Sequence, residues 1–508
     1  MNAVRVLQCA FAILAVGTLA ACTVGPAYER PPAPTATRYT ARATPAGIPA
    51  ASHSEGPVAA GQRLQPGTAV NPAWWKGFAS PALDRLVDRA LAHNPTLAAA
   101  EATLDEAREQ LRAAHGIFYP HVNLGLGAER TRTSSATTGG SFPPQTYDLY
   151  TGQVSVSYDP DVFGLNRSLV RAQHAQLEVA QDQLAAARLS IAGNVVNTTF
   201  DLAALDGEVA ATRKSVHDQQ RVLALTQTQY RLGAIDEFSV LTQQSLLATT
   251  QASLIQLQQA RDAARHLLAT LVGELPGAGA NLDPPTLASL RLPTALPLSL
   301  PSTLVRQRPD IRAAEAQLRG ANAQVAAAVA RLYPNIQLSA AFGSESNLTR
   351  LFFHPASRIW DAAASLVAPL FEGGTLRAQE RVAKAAYRVV FANYQATILG
   401  AFRNVADVLR ALEHDSALLD SRAQALGAAR GALGLVTTEY RAGGVDFLQV
   451  LTDETQLQDA RIAYIQAEAQ RYADTAALYV ALGGGQWSGN DTGRRSRAHA
   501  AATPEQPE

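Results

Sequence analysis

Several residue types are scarce in this 508-residue chain, and each scarcity closes off a class of function. It holds two cysteines, Cys9 and Cys22, too few for a disulfide framework or a four-cysteine zinc site. The three lysines, Lys76, Lys214 and Lys384, are none of them preceded by glycine, so a phosphate-cradling Gly-Lys loop is excluded. Charged residues make up 17%, below the usual quarter, and 43 basic side chains balance 43 acidic ones. Without a basic surplus, a nucleic-acid partner is not expected. No H-E-x-x-H, C-x-x-C or G-x-S-x-G occurs. The ten histidines are scattered, and Glu101, Asp105 and Glu106 lie on a mixed-charge helix, where they read as a solvated face. Gly483-Gly484-Gly485 follows a helical pattern instead of linking strand to helix, which makes it a stop signal and not a dinucleotide loop. No catalytic residue, cofactor or metal ligand is expected.

Long apolar runs are missing too, apart from the start. Arg5 precedes a largely apolar stretch from Val6 to Val16, followed by Gly17-Thr18-Leu19-Ala20-Ala21-Cys22. A basic start, a short apolar core and small residues at the cut are the layout of an export signal, here residues 1–21. Leu19-Ala20-Ala21-Cys22 also resembles a bacterial lipobox, in which the peptide is cut before a cysteine that is then acylated. Thr23 stands where an aspartate would favour retention at the inner membrane, which points Cys22 to the outer one. Residues 22–70 are rich in Pro, Ala and Thr and read as a lipidated, extended tether; residues 488–508 read as a disordered tail.

The body of the chain is written twice. Asn94-Pro95 and Tyr119-Pro120 return at one constant offset as Arg308-Pro309 and Tyr333-Pro334. At a slightly shorter offset, Tyr230-Arg231-Leu232-Gly233 returns as Tyr440-Arg441-Ala442-Gly443. A period that takes up nearly half the chain is too long for a solenoid unit and marks duplication of a structural half. The first repeat covers 71–273, a linker 274–307 and the second repeat 308–487. From Asn166 to Leu232 there is no proline, and Val195, Leu202, Val209, Val216, Leu223 and Tyr230 are spaced by seven. Val405, Leu412, Leu419, Leu426, Leu433 and Tyr440 repeat that seam. A sustained heptad predicts a coiled-coil-like rod, roughly 100 Å long at 1.5 Å per residue. Gly233 and Gly443 suit the left-handed position that closes a helix, and Asp236 and Asp446 suit the caps of helices returning to about Val272 and Leu482.

Strands are few. Val122, Leu124, Leu126 and Ala128 alternate with Asn123, Gly125, Gly127 and Glu129, and the alternation resumes over 153–158 after a loop at 131–146. Ile336, Leu338 and Ala340 alternate likewise, followed by Trp360 to Val367. A membrane barrel needs this pattern, and a sandwich with one wet face gives it as well. Four strands cannot close a barrel, so in lipid the barrel has to be shared between chains.

Taken together, several stretches resemble outer-membrane efflux lipoproteins of the OprM/TolC type, in the NodT-like branch. They are Cys22 to Tyr28 with Arg30-Pro31, Trp74-Trp75 with Phe78, Arg308-Pro309-Asp310-Ile311-Arg312-Ala313-Ala314-Glu315, and Pro369-Leu370-Phe371-Glu372-Gly373-Gly374. The resemblance implies a mainly α fold with a small membrane β-barrel: internally duplicated helical hairpins, four strands per chain, and a homotrimer that closes a 12-stranded barrel and a 12-helix periplasmic tunnel. An equatorial belt would come from residues 71–92, 274–307 and 483–487. The chain would be the passive outer-membrane channel of a tripartite efflux pump, with a periplasmic adaptor (membrane fusion protein) and an inner-membrane RND-type pump as partners. The adaptor would meet the tips at Tyr230, Arg231, Gly233, Ala234, Tyr440, Arg441, Gly443 and Gly444. Leu448 would narrow the pore. The position that is aspartate in the family is Thr452 here, with Asp453 one residue later and turned by about 100° on a helix. The alternative from another class is a lipid-tethered periplasmic coiled-coil scaffold without a pore.

Overall fold

The computed structural model describes residues 24–32, 34–42, 45–138 and 143–485. The expected signal peptide, Cys22 and the expected tail lie outside these residues. The chain divides into two compact units.

Among the described residues, the first unit comprises those within 24–31, 103–180 and 313–395. Its centre is an antiparallel sheet of β3 (His121–Arg132), β4 (Thr146–Tyr158), β6 (Asn335–Ser346) and β7 (Arg358–Val367), in the order β3-β4-β6-β7. Each half of the sequence thus supplies one hairpin. The strands extend a little beyond the alternating apolar segments, because the ladder continues through polar pairs such as Arg130 with Asp148 and Arg132 with Thr146.

The second unit holds the described residues within 32–102, 181–312 and 396–485. Helices α1 (Pro81–His93) and α2 (Pro95–His115) are separated by Asn94, extended because a proline follows it, and from residue 103 onward α2 belongs to the first unit. Helix α3 (Leu165–Arg231) and helix α7 (Thr375–Arg441) each run for 67 residues. They begin in the first unit and continue unbroken into the second. The returning helices α4 (Glu237–Leu271) and α8 (Phe447–Ala481) each have 35 residues. Short α5 (Pro301–Gln307) and longer α6 (Pro309–Ala330) are split at Arg308, again before a proline, and from residue 313 onward α6 belongs to the first unit. The expected caps are present. Asp236 accepts from the Ser239 N–H, and Asp446 from the Gln449 N–H. Along the predicted seam, Val195, Leu202, Val209 and Val216 are buried, as are Val405, Leu412 and Leu419. Leu223 and Leu426 are only half-buried, so within one chain the seam opens toward the hairpin tips.

The expectation of an extended tether up to residue 70 requires correction. Strands β1 (Gly47–Ile48) and β2 (Gln62–Pro66) join β5 (Ala295–Leu298) in a small sheet, β2 and β5 lying parallel. Few apolar side chains are needed, because the segment is held through its backbone. The fully buried Arg471 on α8 donates to the carbonyls of Ala60 at 2.8 Å and Pro49 at 3.5 Å, and Ser416 donates to Pro49 at 2.6 Å. Gln62, also buried, donates to the Pro293 carbonyl and to Thr475. Beside this clamp an aromatic cluster forms the core. Trp74 stacks on Tyr479 with centroids 5.4 Å apart, and Phe78 meets Phe200 at 5.0 Å.

Asp415 lies next to Arg471 and Asp474. Burial first, and then the hydrogen bond and charge of Asp474, push its carboxyl up from 3.8 to about 8. Between those two values the folded chain holds a proton that the unfolded chain has released, so stability falls as pH rises from about 4 to about 8. Asp415→Asn is therefore expected to flatten that decline. Its gain over the parent should be largest above pH 8, read as melting temperature from pH 5 to 9.

Candidate channel wall and hairpin tips

Residues paired across antiparallel strands share a face, so the register sorts the side chains of the first unit's sheet. Val122 pairs with Val156, Leu124 with Val154, Val154 with Phe342, Phe342 with Trp360, and Ile336 with Leu366. One face is thereby apolar, and much of it is bare: Leu124 is 70% exposed, Leu126 77% and Trp360 77%. The opposite face aligns Asn123 with Ser155, Gln153 with Gly343, Ser157 with Ser339, and Gln337 with Ser365. Its ionisable groups include the carboxylates Glu129, Glu345 and Asp361, whereas Arg130, Arg132 and Arg358 fall on the apolar face at the strand ends near the loops. Gly152 admits close packing on that face, since a Cβ there would stand 2.7 Å from the Phe352 ring. The outer strands β3 and β7 each pair on one side only among the described residues.

A large, bare apolar face opposite a polar one is wrong for a sheet in water and right for a sheet between lipid and an aqueous lumen. No described helix is long and apolar enough to cross a membrane.

At the hairpin tips both repeats end alike. Gly233 (φ +74°) donates to Tyr230 O at 2.9 Å and Ala234 to Gln229 O at 2.9 Å; Gly443 (φ +76°) donates to Tyr440 O at 3.0 Å and Gly444 to Glu439 O at 2.9 Å. This pair of hydrogen bonds satisfies the last carbonyls of each long helix and needs a residue free to adopt positive φ. Arg231, Gly233, Ala234, Arg441, Gly443 and Gly444 are all exposed. The tips differ in their apolar content. Tyr230, Leu232 and Phe238 are exposed on the first, whereas on the second the Tyr440 ring packs against Phe447 with centroids 5.5 Å apart.

Just past the second tip, Leu448 is 49% exposed. Thr452 is exposed and donates to the Leu448 carbonyl at 2.9 Å. Asp453, by contrast, is buried and accepts from the Gln449 amide at 3.2 Å. It occupies the place that the fully buried Gln243 fills in the first repeat, where the amide donates to the Gln219 carbonyl. The neighbouring Glu454 has its carboxyl raised by burial and by the Asp218 charge. Leu448 and Thr452 are thus presented outward, and Asp453 is not.

The sequence reading did not anticipate a polar link in the first unit. Arg30 donates to Glu315 at 2.5 Å, and Glu315, almost fully buried, also accepts from Arg319 at 3.1 Å. Tyr28 beside it is pushed up to about 12 by burial and the Glu315 charge. Arg30 and Glu315 both belong to stretches that carry the resemblance, and that was the available signal.

A model of the family described as outer membrane efflux protein matches residues 86–274 and again 300–484. The chain belongs to the outer membrane efflux protein family. The two matched segments fall one on each repeat. Among curated relatives, the pyoverdine export outer membrane protein OpmQ of Pseudomonas aeruginosa is 31% identical over 424 residues, covering 83% of this chain and 88% of that one. Outer membrane protein OprJ of the same organism is 30% identical over 492 residues, with 96% and 97% covered. Among solved structures, the outer-membrane channel OprN superposes with a TM-score of 0.80 at 29% identity, over 91% of this chain and 99% of that one. This outer membrane efflux protein is accordingly an outer-membrane channel of the kind used by tripartite efflux pumps, and the apolar face of its sheet is the one suited to lipid.

Placing Arg at Leu124 on that face is expected to cost about 2–4 kcal/mol near the bilayer midplane, while Arg at the adjacent Asn123 should be tolerated on the lumen side. Denaturant unfolding in lipid vesicles checks both.

Proposed function

We propose that three copies of this chain close a 12-stranded barrel over a tunnel of 12 helices, and that the assembly is a passive conduit carrying small molecules from an inner-membrane RND-type pump to the exterior. The observation that carries this reading is the four-stranded amphipathic sheet with two open edges. In hydrocarbon, an unpaired edge leaves a row of backbone N–H and C=O groups without partners, so edges join between chains until the barrel closes. The 67-residue helices, roughly 100 Å each, are long enough to line a periplasmic tunnel. Nothing in the conduit needs to perform chemistry, and the driving force comes from the pump.

The paired small residues at the tips, Gly233 with Ala234 and Gly443 with Gly444, leave room for a helix of the periplasmic adaptor to pack close. Leu448, exposed just past the second tip, supplies the narrowing of the closed pore. The buried environment of Asp453 favours a steric constriction over an acidic one. Cys22 carries the lipid that anchors the mature start in the outer membrane. By this assignment 1–21 is removed, 22–70 leads from the anchor, and the two repeats over 71–273 and 308–487 are joined by 274–307.

Purified protein in planar bilayers is expected to show discrete conductance and to run as a trimer on unheated gels. A monomer without conductance would sink the conduit and leave the lipid-tethered scaffold standing. Leu448→Ala should raise the conductance of the closed channel and sensitise cells to large antibiotics; no change in either removes Leu448 from the constriction. Replacing Ala234 and Gly444 with Arg should abolish adaptor co-purification while the trimer band persists. Cys22→Ala should abolish palmitate labelling without dissolving the trimer.

A further inference from the structure

The second repeat departs from the first at the start of its long helix. Arg377, Arg381, Lys384 and Arg388 on α7 follow one another at intervals of four, three and four, which sets them along one side of the helix. The equivalent positions on α3 are Arg167, Arg171, His174 and Glu178, and there the charges are engaged within the chain. Arg167 bonds Asp161, Arg171 bonds Ser168, and Glu178 meets Arg319 at 2.5 Å. On α7, Lys384 has the neighbouring Glu380 at 2.6 Å. Arg377, Arg381 and Arg388 are exposed and make no ion pair among the described residues.

Three of these bases, Arg381, Lys384 and Arg388, line a cavity of about 930 Å³ that lies within the first unit. The start of the described chain, from Pro26 to Glu29, supplies another wall, and Asn322 of α6 lies between. That wall is pinned in place. The Val24 N–H donates to the Phe163 carbonyl at 3.3 Å, Asn322 donates to the Pro26 carbonyl at 3.2 Å, and Glu315 holds Arg30. Gly25 packs so closely that a Cβ there would stand 2.9 Å from Ala326. The chain thus builds the cavity by itself. Its lining sets three cations against one carboxylate, Glu29, and Glu380 offsets Lys384 from the same helix. A positive surplus in so large a space suits an anionic ligand well above the size of a free phosphate.

The position of the cavity along the chain points to the kind of anion. β7 ends at Val367 and α7 begins at Thr375. Between them Leu370 is 95% exposed and Phe371 89%, and apolar groups this bare belong in lipid rather than water. Arg381 and Lys384 follow Thr375 by only two to three helical turns, about 9 Å and about 13 Å along the axis. The headgroup layer outside the hydrocarbon is about 5–8 Å deep on each side of a bilayer. Side chains on a helix lean toward its N-terminus, and on α7 that end leads back to the sheet, so these bases reach toward the headgroups. Pro26 follows Cys22 by four residues, which span at most about 14 Å, so an acylated Cys22 also keeps this wall close to the membrane.

We propose that this cavity binds the phosphate of a membrane phospholipid headgroup, with Arg381, Lys384 and Arg388 as its charged partners and one lipid per chain. A headgroup without an amine, such as that of phosphatidylglycerol, matches the positive surplus best. The inference rests on the outer-membrane placement of the sheet and adds a lipid that neither the barrel nor the acyl anchor requires.

The test uses the full-length protein extracted in a mild non-ionic detergent and counts retained lipid by native mass spectrometry. The parent should keep one phosphatidylglycerol per chain, keep it better than phosphatidylcholine, and keep less of it at about 1 M salt. Arg381→Ala with Lys384→Ala should bind phosphatidylglycerol about tenfold more weakly. Arg422→Gln with Arg430→Gln removes the same charge from exposed positions farther along α7 and should leave retention unchanged. Equal losses in the two pairs make the binding a bulk charge effect and overturn the site, as does equal retention of phosphatidylcholine. Displacement of the lipid by excess inorganic phosphate overturns the headgroup in favour of a free-anion site. Binding of soluble polyglutamate without retention of phosphatidylglycerol assigns the bases to an acidic protein and refutes the proposal. Should the alanine pair fail to assemble, Arg388→Gln alone must still weaken retention severalfold, and unchanged retention there counts against the site. A conducting channel that holds no phosphatidylglycerol overturns the site and leaves the conduit intact, whereas a chain without conductance overturns the conduit itself.

Discussion

The constraint on which the rest of this molecule depends is that backbone polar groups find no partner in hydrocarbon. β3 and β7 each offer a row of N–H and C=O groups that the chain leaves open among the described residues. A soluble protein would blunt such edges with charge, proline or a bulge. Here the edge strands are 12 and 10 residues long and continue the apolar face of the sheet, which suits an edge that is meant to be joined. Outer membrane efflux proteins solve the problem by sharing, and the four strands per chain are a quantity that only sharing explains.

Duplication supplies the symmetry this solution needs, and the two copies have kept the parts that fix backbone geometry. The long helices match in length at 67 residues and the returning helices at 35. Their ends use the same pair of hydrogen bonds and the same aspartate cap. The copies have diverged in side chains that decide what each face meets. Gln243 donates to a neighbouring carbonyl, while Asp453 in its place accepts from its own helix. Arg167 and Arg171 are engaged internally, and their counterparts Arg377 and Arg381 are exposed and make no ion pair among the described residues. A shared backbone with divergent exposed faces is what a barrel wall with two different edges requires.

Much of this was legible in the sequence because it is local. A sustained heptad, a glycine at the helix end and an aspartate soon after it are all signals carried by neighbouring residues, and they placed the hairpins closely. The alternation over 122–128 and 336–340 marked the strands but not their polar ends, where Arg130 opposes Asp148 and the pairing partner matters more than the side chain. The small sheet of β1, β2 and β5 was not legible. Gln62-Arg63-Leu64-Gln65-Pro66 shows no strand pattern, and its parallel partner Ala295–Leu298 lies beyond the whole first repeat. Nor could the sequence show that Arg471 holds two carbonyls near the opposite end of the chain, since backbone acceptors leave no trace in residue identity.

The polar contacts that went unseen share a physical character. Arg471 is fully enclosed against the carbonyls of Pro49 and Ala60 and the Ser416 hydroxyl, and Glu315 is enclosed against Arg30 and Arg319. Burying such charges brings little net stability, but removing one partner strands the other, and that penalty makes the arrangement all-or-none. Both clusters grip the segment between residues 24 and 66, which has too few large apolar side chains to choose a place by hydrophobic packing alone. A nonspecific apolar contact would let this Pro- and Ala-rich stretch slide. A buried guanidinium aimed at the carbonyls of Pro49 and Ala60 does not, and Arg30 fixes the chain a short way beyond Cys22. Placing charge inside the protein at these points is therefore best understood as a way to specify where the described residues of this segment run, in a chain of which only 17% of the residues are charged.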